Sequence, residues 1–242
     1  MAQNIYDQPE FFAGYSQLRR SIHGLEGAPE WPAIRTLLPD LAGKRVVDLG
    51  CGFGWFARWA RANGATHVLG IDLSRNMIAR ARADTNDPAI EYRIADLEQL
   101  ELPAAAFDFA YSALAFHYIA DFGRLMRTVH EALHPGAHFV FTIEHPIYMA
   151  PAHPGWTMDA EGRKTWPVNG YALEGPRRTD WLAKGVIKQH RTIGTTLNTL
   201  IDTGFAIQHV QEWSPTAGQV AADPTLAEEA ERPMMLLVAA SR

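Results

Sequence analysis

An α/β fold built on a largely parallel sheet is what this chain of 242 residues predicts, and three observations point to it. Short apolar runs alternate with helical patterns from Arg45 to Ile143, the signature of successive βα units. A glycine-rich turn joins the first of those runs to the first helix. Two late β-like runs, Phe205 to Trp213 and Met234 to Ala240, close the chain, and such a pair is readily antiparallel. The expected architecture is a seven-stranded, mostly parallel sheet with an antiparallel C-terminal strand and helices on both faces.

The elements follow in order. Residues up to about Asp40 read as helices added across the mouth of the sheet. Arg45 to Leu49 is a first buried strand, and Gly54 to Arg61 a helix with Phe56, Ala57 and Ala60 at helical spacing. His67 to Ile71 is a second strand, after which Ser74 offers a hydroxyl N-cap to a helix running to about Ala83. Ala89 to Ile94 and Phe107 to Ser112 are the third and fourth strands. A helix from about Ile119 to Leu133 is terminated by Pro135 and Gly136, and Ala137 to Ile143 is the fifth strand. From residue 145 to about residue 185 periodicity is lost and prolines and glycines accumulate, so this is an insertion. Its aromatics, Tyr148, Trp156, Trp166, Tyr171 and Trp181, are denser than a solvated loop needs, and the segment is expected to act as a lid. A helix from Arg191 to about Thr203 ends at Gly204.

Composition narrows the class. At 47% hydrophobic and 20% charged the chain is an ordinary globular one, long enough for one domain with an insertion. A net charge of −5 argues against a surface built to neutralise phosphates, so no nucleic-acid partner is expected. The single cysteine, Cys51, has no partner for an internal disulfide, and no charged N-terminal region precedes an apolar run, which points to the cytoplasm. The most apolar stretch, Ala104 to Ala120, is interrupted by Asp108 and His117 and is too short to span a bilayer. His134 and His138 have i, i+4 spacing, but Pro135-Gly136 breaks any helix that would align them, so no metal site is expected. The chain is expected to act as a monomer or homodimer.

The chemistry concentrates at the carboxyl ends of the strands, where open α/β sheets bind ligands. In Asp48-Leu49-Gly50-Cys51-Gly52-Phe53-Gly54, glycines at alternate positions let the backbone turn tightly and approach a ligand, and the following helix offers its N-terminal N–H groups to an anionic group. Asp72 ends the second strand, close to the spacing of ~20 residues at which an acid accepts hydrogen bonds from a ribose diol. A helix-capping role is its ordinary alternative. Asp96 ends the third strand, placed either for an exocyclic amine of a base or simply to start the turn before Glu98. A dinucleotide is disfavoured, because its fingerprint wants a small residue where Trp55 stands.

Together with Gly70-Ile71-Asp72-Leu73-Ser74, Ala95-Asp96-Leu97, Phe107-Asp108 and Leu133-His134-Pro135-Gly136-Ala137, this turn resembles the class I S-adenosylmethionine (SAM)-dependent methyltransferases, in particular those related to ubiquinone and menaquinone biosynthesis, from about Tyr15 to Ala240. The resemblance implies a Rossmann-like fold and SAM as cofactor, with S-adenosylhomocysteine as product. It also implies that Gly50, Gly52 and Gly54 cradle the methionine end, that Asp48 and Cys51 in the same turn bind the cofactor, that Asp72 holds the ribose, that Leu73 and Met77 flank the adenine, that Asp96 with Leu97 reads its amine, and that Ser112 faces the methionine part near the acceptor.

Methyl transfer to an oxygen or nitrogen calls for orientation and, for a protonated nucleophile, a base. His117 after the fourth strand, Glu144 and His145 after the fifth, and His190 before the next helix qualify by location, although a hydrogen-bonded structural role is commoner for any single histidine. With an aromatic-rich lid, the expected acceptor is a small, aromatic or heterocyclic metabolite. A quinone or lipid precursor is the alternative, although no basic amphipathic helix stands out to bring the protein to a membrane. A SAM-binding regulator without chemistry is the reading of another class.

Overall fold

The structure, a computed structural model, describes residues 3–242. Three short helices come first, α1 (Pro9–Ser16), α2 (Arg19–Ile22) and α3 (Trp31–Leu37). The sheet then begins as β1 (Arg45–Leu49), α4 (Trp55–Ala62), β2 (His67–Asp72), α5 (Arg75–Ala83), β3 (Ile90–Ile94), β4 (Phe107–Ala113), α6 (Phe122–Ala132) and β5 (Leu133–Glu144). After β5 come α7 (Pro146–Met149) and two hairpins, β6 (Thr157–Met158) with β7 (Lys164–Thr165) and β8 (Gly175–Trp181) with β9 (Ala183–His190). The chain ends with α8 (Ile193–Thr203), β10 (Ala206–Trp213), α9 (Ala217–Ala222), α10 (Glu228–Glu231) and β11 (Met235–Ser241).

Strand order in the seven-stranded sheet is β10-β11-β5-β4-β1-β2-β3. All pairs from β5 to β3 are parallel, and β11 is antiparallel to both β10 and β5. The expected mostly parallel sheet with an antiparallel terminal strand is therefore present. Strand order reverses between β1 and β4. Connections leaving these two strands diverge to opposite sides, which opens a crevice at their carboxyl ends.

Burial explains why these segments are strands. Val46, Val47 and Leu49 of β1, and Phe139, Val140, Phe141 and Ile143 of β5, are covered on both sides of the sheet, so continuous apolar runs suit them. One face packs Phe116, Phe122 and Leu200 against the sheet, and the other packs Trp31, Phe56 and Trp213. Phe56 stacks on Tyr111 at a centroid distance of 3.7 Å. The Ser74 hydroxyl caps α5 by accepting from the Met77 N–H at 3.0 Å, and Gly204 ends α8 in the left-handed region at φ 104°.

Three expectations need correction. The helix before β5 starts at Phe122, after a 3-10 turn over Phe116–Tyr118, and stops at Ala132. Pro135 and Gly136 lie inside β5 rather than ahead of it. Proline forces the preceding residue into extended backbone, so the chain leaves α6 directly as a strand, and Gly136 at φ 77° takes up the slip in register between β4 and β5. The insertion is not aperiodic either, and its second hairpin runs to His190, past the expected limit of residue 185. Its alternation is hidden because β9 turns Val186, Lys188 and His190 inward, and two of these three are polar. Among the described residues, no helix is long and apolar enough to cross a membrane.

The N-terminal segment and the β8–β9 hairpin meet over the crevice. Gln3 bonds both the Gly185 carbonyl and the Ile187 N–H, and Ile5 and Phe11 pack on Val186. On its other side the carboxylate of Asp7 accepts from the Ser74 hydroxyl and from the backbone N–H groups of Arg75 and Asn76 at the start of α5. These bonds hold Asp7 below the usual carboxylate range, against partial desolvation.

Candidate functional site

A cavity of about 600 Å³ fills the crevice. One end is the glycine turn. Gly50, Gly52 and Gly54 all have positive φ, at 80°, 51° and 73°, yet only one of them leaves open space. A Cβ on Gly50 would lie 2.4 Å from that of Ala115, and one on Gly54 would lie 2.1 Å from the Tyr92 hydroxyl, whereas one on Gly52 would meet nothing nearer than the Tyr15 hydroxyl at 4.0 Å. The outer glycines serve packing and the middle one serves the cavity. Gly50, Cys51 and Gly52 line it, while Gly54 is set back behind Tyr92.

Asp72 reaches across from the end of β2. Its carboxylate accepts from the Gly52 N–H and the Ser74 N–H, both at 2.9 Å, so it also braces the turn. Withdrawal from solvent raises its pKa in spite of these bonds. Asp48 is buried on the cavity wall, and its Oδ2 has no hydrogen-bond partner among the described residues. Burial, with the charge of Asp72 adding to it, pushes Asp48 well above the carboxylate range. Burial likewise pushes the Cys51 thiol far up, which leaves it inert. Leu73, Met77, Asp96 and Leu97 complete this end. Asp96 accepts from the Glu98 N–H at 3.0 Å, so it starts the turn and stands on the wall at once. Ser112 does not join them. It is fully buried, with its hydroxyl donating to the Leu49 carbonyl at 2.6 Å as a strut between β4 and β1.

The other end is bounded by His117, Glu144 and the rings of Tyr6, Tyr118, Tyr148 and Trp181. His117 Nδ1 accepts from the Glu144 N–H at 3.4 Å, which leaves the proton on Nε2, 3.9 Å from Glu144 Oε1. Burial lowers its pKa well below the usual histidine range, and Lys188 and Arg191 lower it further, so the ring is neutral. Glu144 Oε1 also accepts from Lys188 Nζ at 2.5 Å. Burial raises the pKa of Glu144 above the usual carboxylate value, and Lys188 pulls it only part of the way back. The hydroxyls of Tyr6 and Tyr118 lie 3.1 Å apart, and burial holds both phenols protonated. Burial, with the nearby Glu144 charge adding to it, lifts Tyr148 to about 12.

The remaining predicted residues lie elsewhere. His145 is fully buried as the cap of α7, accepting from the Ile147 N–H at 3.1 Å while Nε2 meets Glu212 at 2.9 Å. His190 is tied through Nε2 to the Tyr171 carbonyl at 2.8 Å. Neither borders the cavity. The insertion's aromatics divide in the same way. Tyr148 and Trp181 line the cavity, but Trp156 and Trp166 cluster with Tyr148 around Arg232, whose guanidinium lies 5.2, 4.4 and 4.6 Å from the respective ring centroids. Arg232 in turn pairs with Glu229 at 2.7 Å. Sequence reasoning passed over Lys188 and Arg232. The trace of Lys188 is the inward phase of β9, which the polar residues there hide, and Arg232, just after α10, leaves no such trace.

Comparison with known proteins accords with this geometry. A family model described as a methyltransferase domain matches residues 47–141, which span β1 to most of β5. A Mesorhizobium loti SAM-dependent methyltransferase of known structure is 64% identical, with a TM-score of 0.88, covering 90% of this chain and 100% of its own. A Haemophilus influenzae protein without an assigned activity is 33% identical over 217 residues, 86% of this chain and 85% of its own length. Malonyl-[acyl-carrier protein] O-methyltransferase from Pseudescherichia vulneris is 35% identical over 123 residues, 50% of this chain and about half of that protein (48%). With the glycine turn, the two strand-end aspartates and one cavity joining them to Glu144, the chain belongs to the SAM-dependent methyltransferases, and its cofactor is SAM.

Proposed function

We propose that this methyltransferase acts on an oxygen or nitrogen atom of a small, aromatic or heterocyclic metabolite. The observation that carries the reading is the continuity of the cavity, from the open face of Gly52 and the carboxylate of Asp72 to a wall of phenol and indole rings ending in Glu144. Flat apolar walls with a few fixed polar groups suit a planar molecule of modest size. The relative named for O-methylation is compatible with an oxygen nucleophile, and nothing in the site excludes nitrogen.

SAM supplies a methyl group on a sulfonium, already activated for transfer to a nucleophile. The chain's own residues hold and orient. Gly52 would leave room for the methionine end, Asp72 would hold the ribose hydroxyls, Leu73 and Met77 would flank the base, and Asp96 with Leu97 would hold its amine. The unpartnered oxygen of Asp48 suits a donor on the amino-acid end. At the far end the rings of Tyr6, Tyr118 and Trp181 place the acceptor for in-line attack, and orientation of this kind supplies much of the acceleration. When the acceptor atom bears a proton, Glu144 receives it. His117, with Nδ1 occupied by the Glu144 N–H and its proton on Nε2, orients that carboxylate instead of competing as a base. The segment 145–185 acts as the lid through Tyr148 and Trp181, and the helices up to residue 40 act as the cap of a single domain.

The test is transfer of label from SAM into a pooled extract of small metabolites. Labelled product is expected in the low-molecular-weight aromatic fraction, lost in Glu144→Gln and retained in His145→Ala and His190→Ala. Label confined to macromolecules, or full activity in Glu144→Gln, would remove this reading.

A further inference from the structure

A buried cation stands at the acceptor end. Lys188 is 2% exposed, its ammonium 2.5 Å from Glu144 Oε1 and 5.0 Å from the centroid of Trp181. An ammonium taken from water is costly unless it is paired, and a pair enclosed this way is retained only where the partner is held in place. Glu144 is held by the end of β5 and carries its carboxylate to the cavity wall. Its Oε2 is buried and has no hydrogen-bond partner among the described residues.

The groups facing Glu144 come from four places. Lys188 comes from β9, His117 and Tyr118 from the turn after β4, Tyr148 from α7, and Arg191 from the segment after β9. The two tyrosines and His117 are neutral. Arg191 is committed elsewhere, donating at 2.6 Å to the carbonyls of both Phe116 and Ile119 and thereby pinning the turn that carries His117. Among the described residues, the ammonium of Lys188 is the positive charge in direct contact with the carboxylate.

Resting on the reading of Glu144 as the proton acceptor, we propose that Lys188 is the positioning residue of the acceptor site, fixing Glu144 as an ionised carboxylate and selecting acceptors whose nucleophilic atom is an N–H or O–H donor. The Lys188–Glu144 pair is neutral as a unit, so the acceptor needs a donor hydrogen but no positive charge, and a phenol, an enol or a ring N–H fits as well as an amine. As the new bond to the methyl carbon forms and the carbon–sulfur bond breaks, the proton on the acceptor atom passes to the Glu144 carboxylate. Lys188 keeps its own proton throughout. Glu144 then releases the acquired proton to water when the product leaves. Without Lys188 the buried carboxyl would hold its own proton and donate where it must accept.

Carbon-13 NMR of protein labelled at glutamate carboxyls reads this charge directly, and it needs no acceptor. The Glu144 resonance is assigned by its loss in Glu144→Gln and followed against pH. In the wild type Glu144 is expected to titrate below neutrality. In Lys188→Met the midpoint moves up by at least about two pH units, and in Lys188→Arg it moves back toward the wild type, with SAM affinity unchanged as the sign that the fold is kept. Lys188→Gln, which keeps a donor but no charge, carries the same comparison if the methionine variant does not fold. A Glu144 that is protonated at neutral pH in the wild type, or a midpoint indifferent to Lys188, would overturn the proposal. Full methyl transfer by Glu144→Gln would instead overturn the reading of Glu144 as the base, so the two fail separately.

Discussion

Gly52→Val separates the fold from the ligand more sharply than any other change in the glycine turn. Its φ of 51° is in the left-handed region, where a side chain costs about 1–2 kcal/mol, but beyond its chain neighbours the nearest atom to the added Cβ among the described residues is the Tyr15 hydroxyl at 4.0 Å. That backbone strain lowers Tm by roughly 2–8 °C in a chain of this size. The isopropyl group points into the cavity instead, where overpacking against bound SAM costs about 3 kcal/mol or more, a loss of at least ~100-fold in affinity. Gly54→Val is the contrast, since its Cβ at 2.1 Å from the Tyr92 hydroxyl puts the cost on folding itself. Gly52→Ala calibrates the strain with less bulk. Calorimetric titration with SAM beside a thermal scan of each variant gives both numbers. A cooperatively folded Gly52→Val protein that binds SAM as tightly as the wild type would refute the assignment of this end of the cavity to the cofactor.

Asp72→Ala should weaken SAM binding by about 1–3 kcal/mol through loss of charged hydrogen bonds, and should also lower Tm because the Gly52 and Ser74 N–H groups lose their acceptor. Unchanged affinity in equilibrium dialysis would take Asp72 out of the site. Asp48 has a folded-state pKa raised by burial, so its contribution to stability is present below its unfolded pKa and is lost as pH rises toward the folded one. Asp48→Asn should accordingly remove a decline of up to about 1.4 kcal/mol per pH unit from the urea-unfolding stability measured between pH 5 and pH 8, and identical slopes in the two proteins would contradict the upward shift of Asp48. Arg232→Met takes the cation from three rings, each contact worth about 0.5–2 kcal/mol. Faster proteolysis within residues 150–175, with SAM affinity preserved, is expected, and cleavage at the wild-type rate would show that Arg232 does not pin the lid.

Much of the fold was legible because its buried strands are dense in Val, Ile and Phe and its helices carry local stop and start signals, such as the Ser74 hydroxyl and Gly204. The donor end was legible for a related reason. A turn that needs positive φ at three alternate positions has to be written in glycine, and strand-end acids sit at fixed spacing from it. What lay beyond reach depends on long-range partners. Trp156 and Trp166 look like pocket walls until Arg232 is found among them, more than 60 residues further along the chain. Ser112 and Ala113 are neighbours on one strand, and which of them faces the crevice depends on the pleat, which put Ser112 against the Leu49 carbonyl. Among the histidines, position relative to strand ends did not distinguish His117 on the cavity wall from His145 and His190, which are bonded to backbone and to Glu212. The β8–β9 hairpin escaped because Lys188 and His190 occupy inward positions that alternation assigns to apolar residues.

That one cavity takes SAM at the glycine turn and directs its reacting end toward Glu144 is tested most directly by a crystal structure of the complex with S-adenosylhomocysteine. The ribose hydroxyls should lie within hydrogen-bond distance of the Asp72 carboxylate, with the adenine between Leu73 and Met77 and the sulfur facing the space bounded by Glu144, His117 and Tyr118. A sulfur turned away from that space, or a product molecule bound outside the cavity, would contradict it.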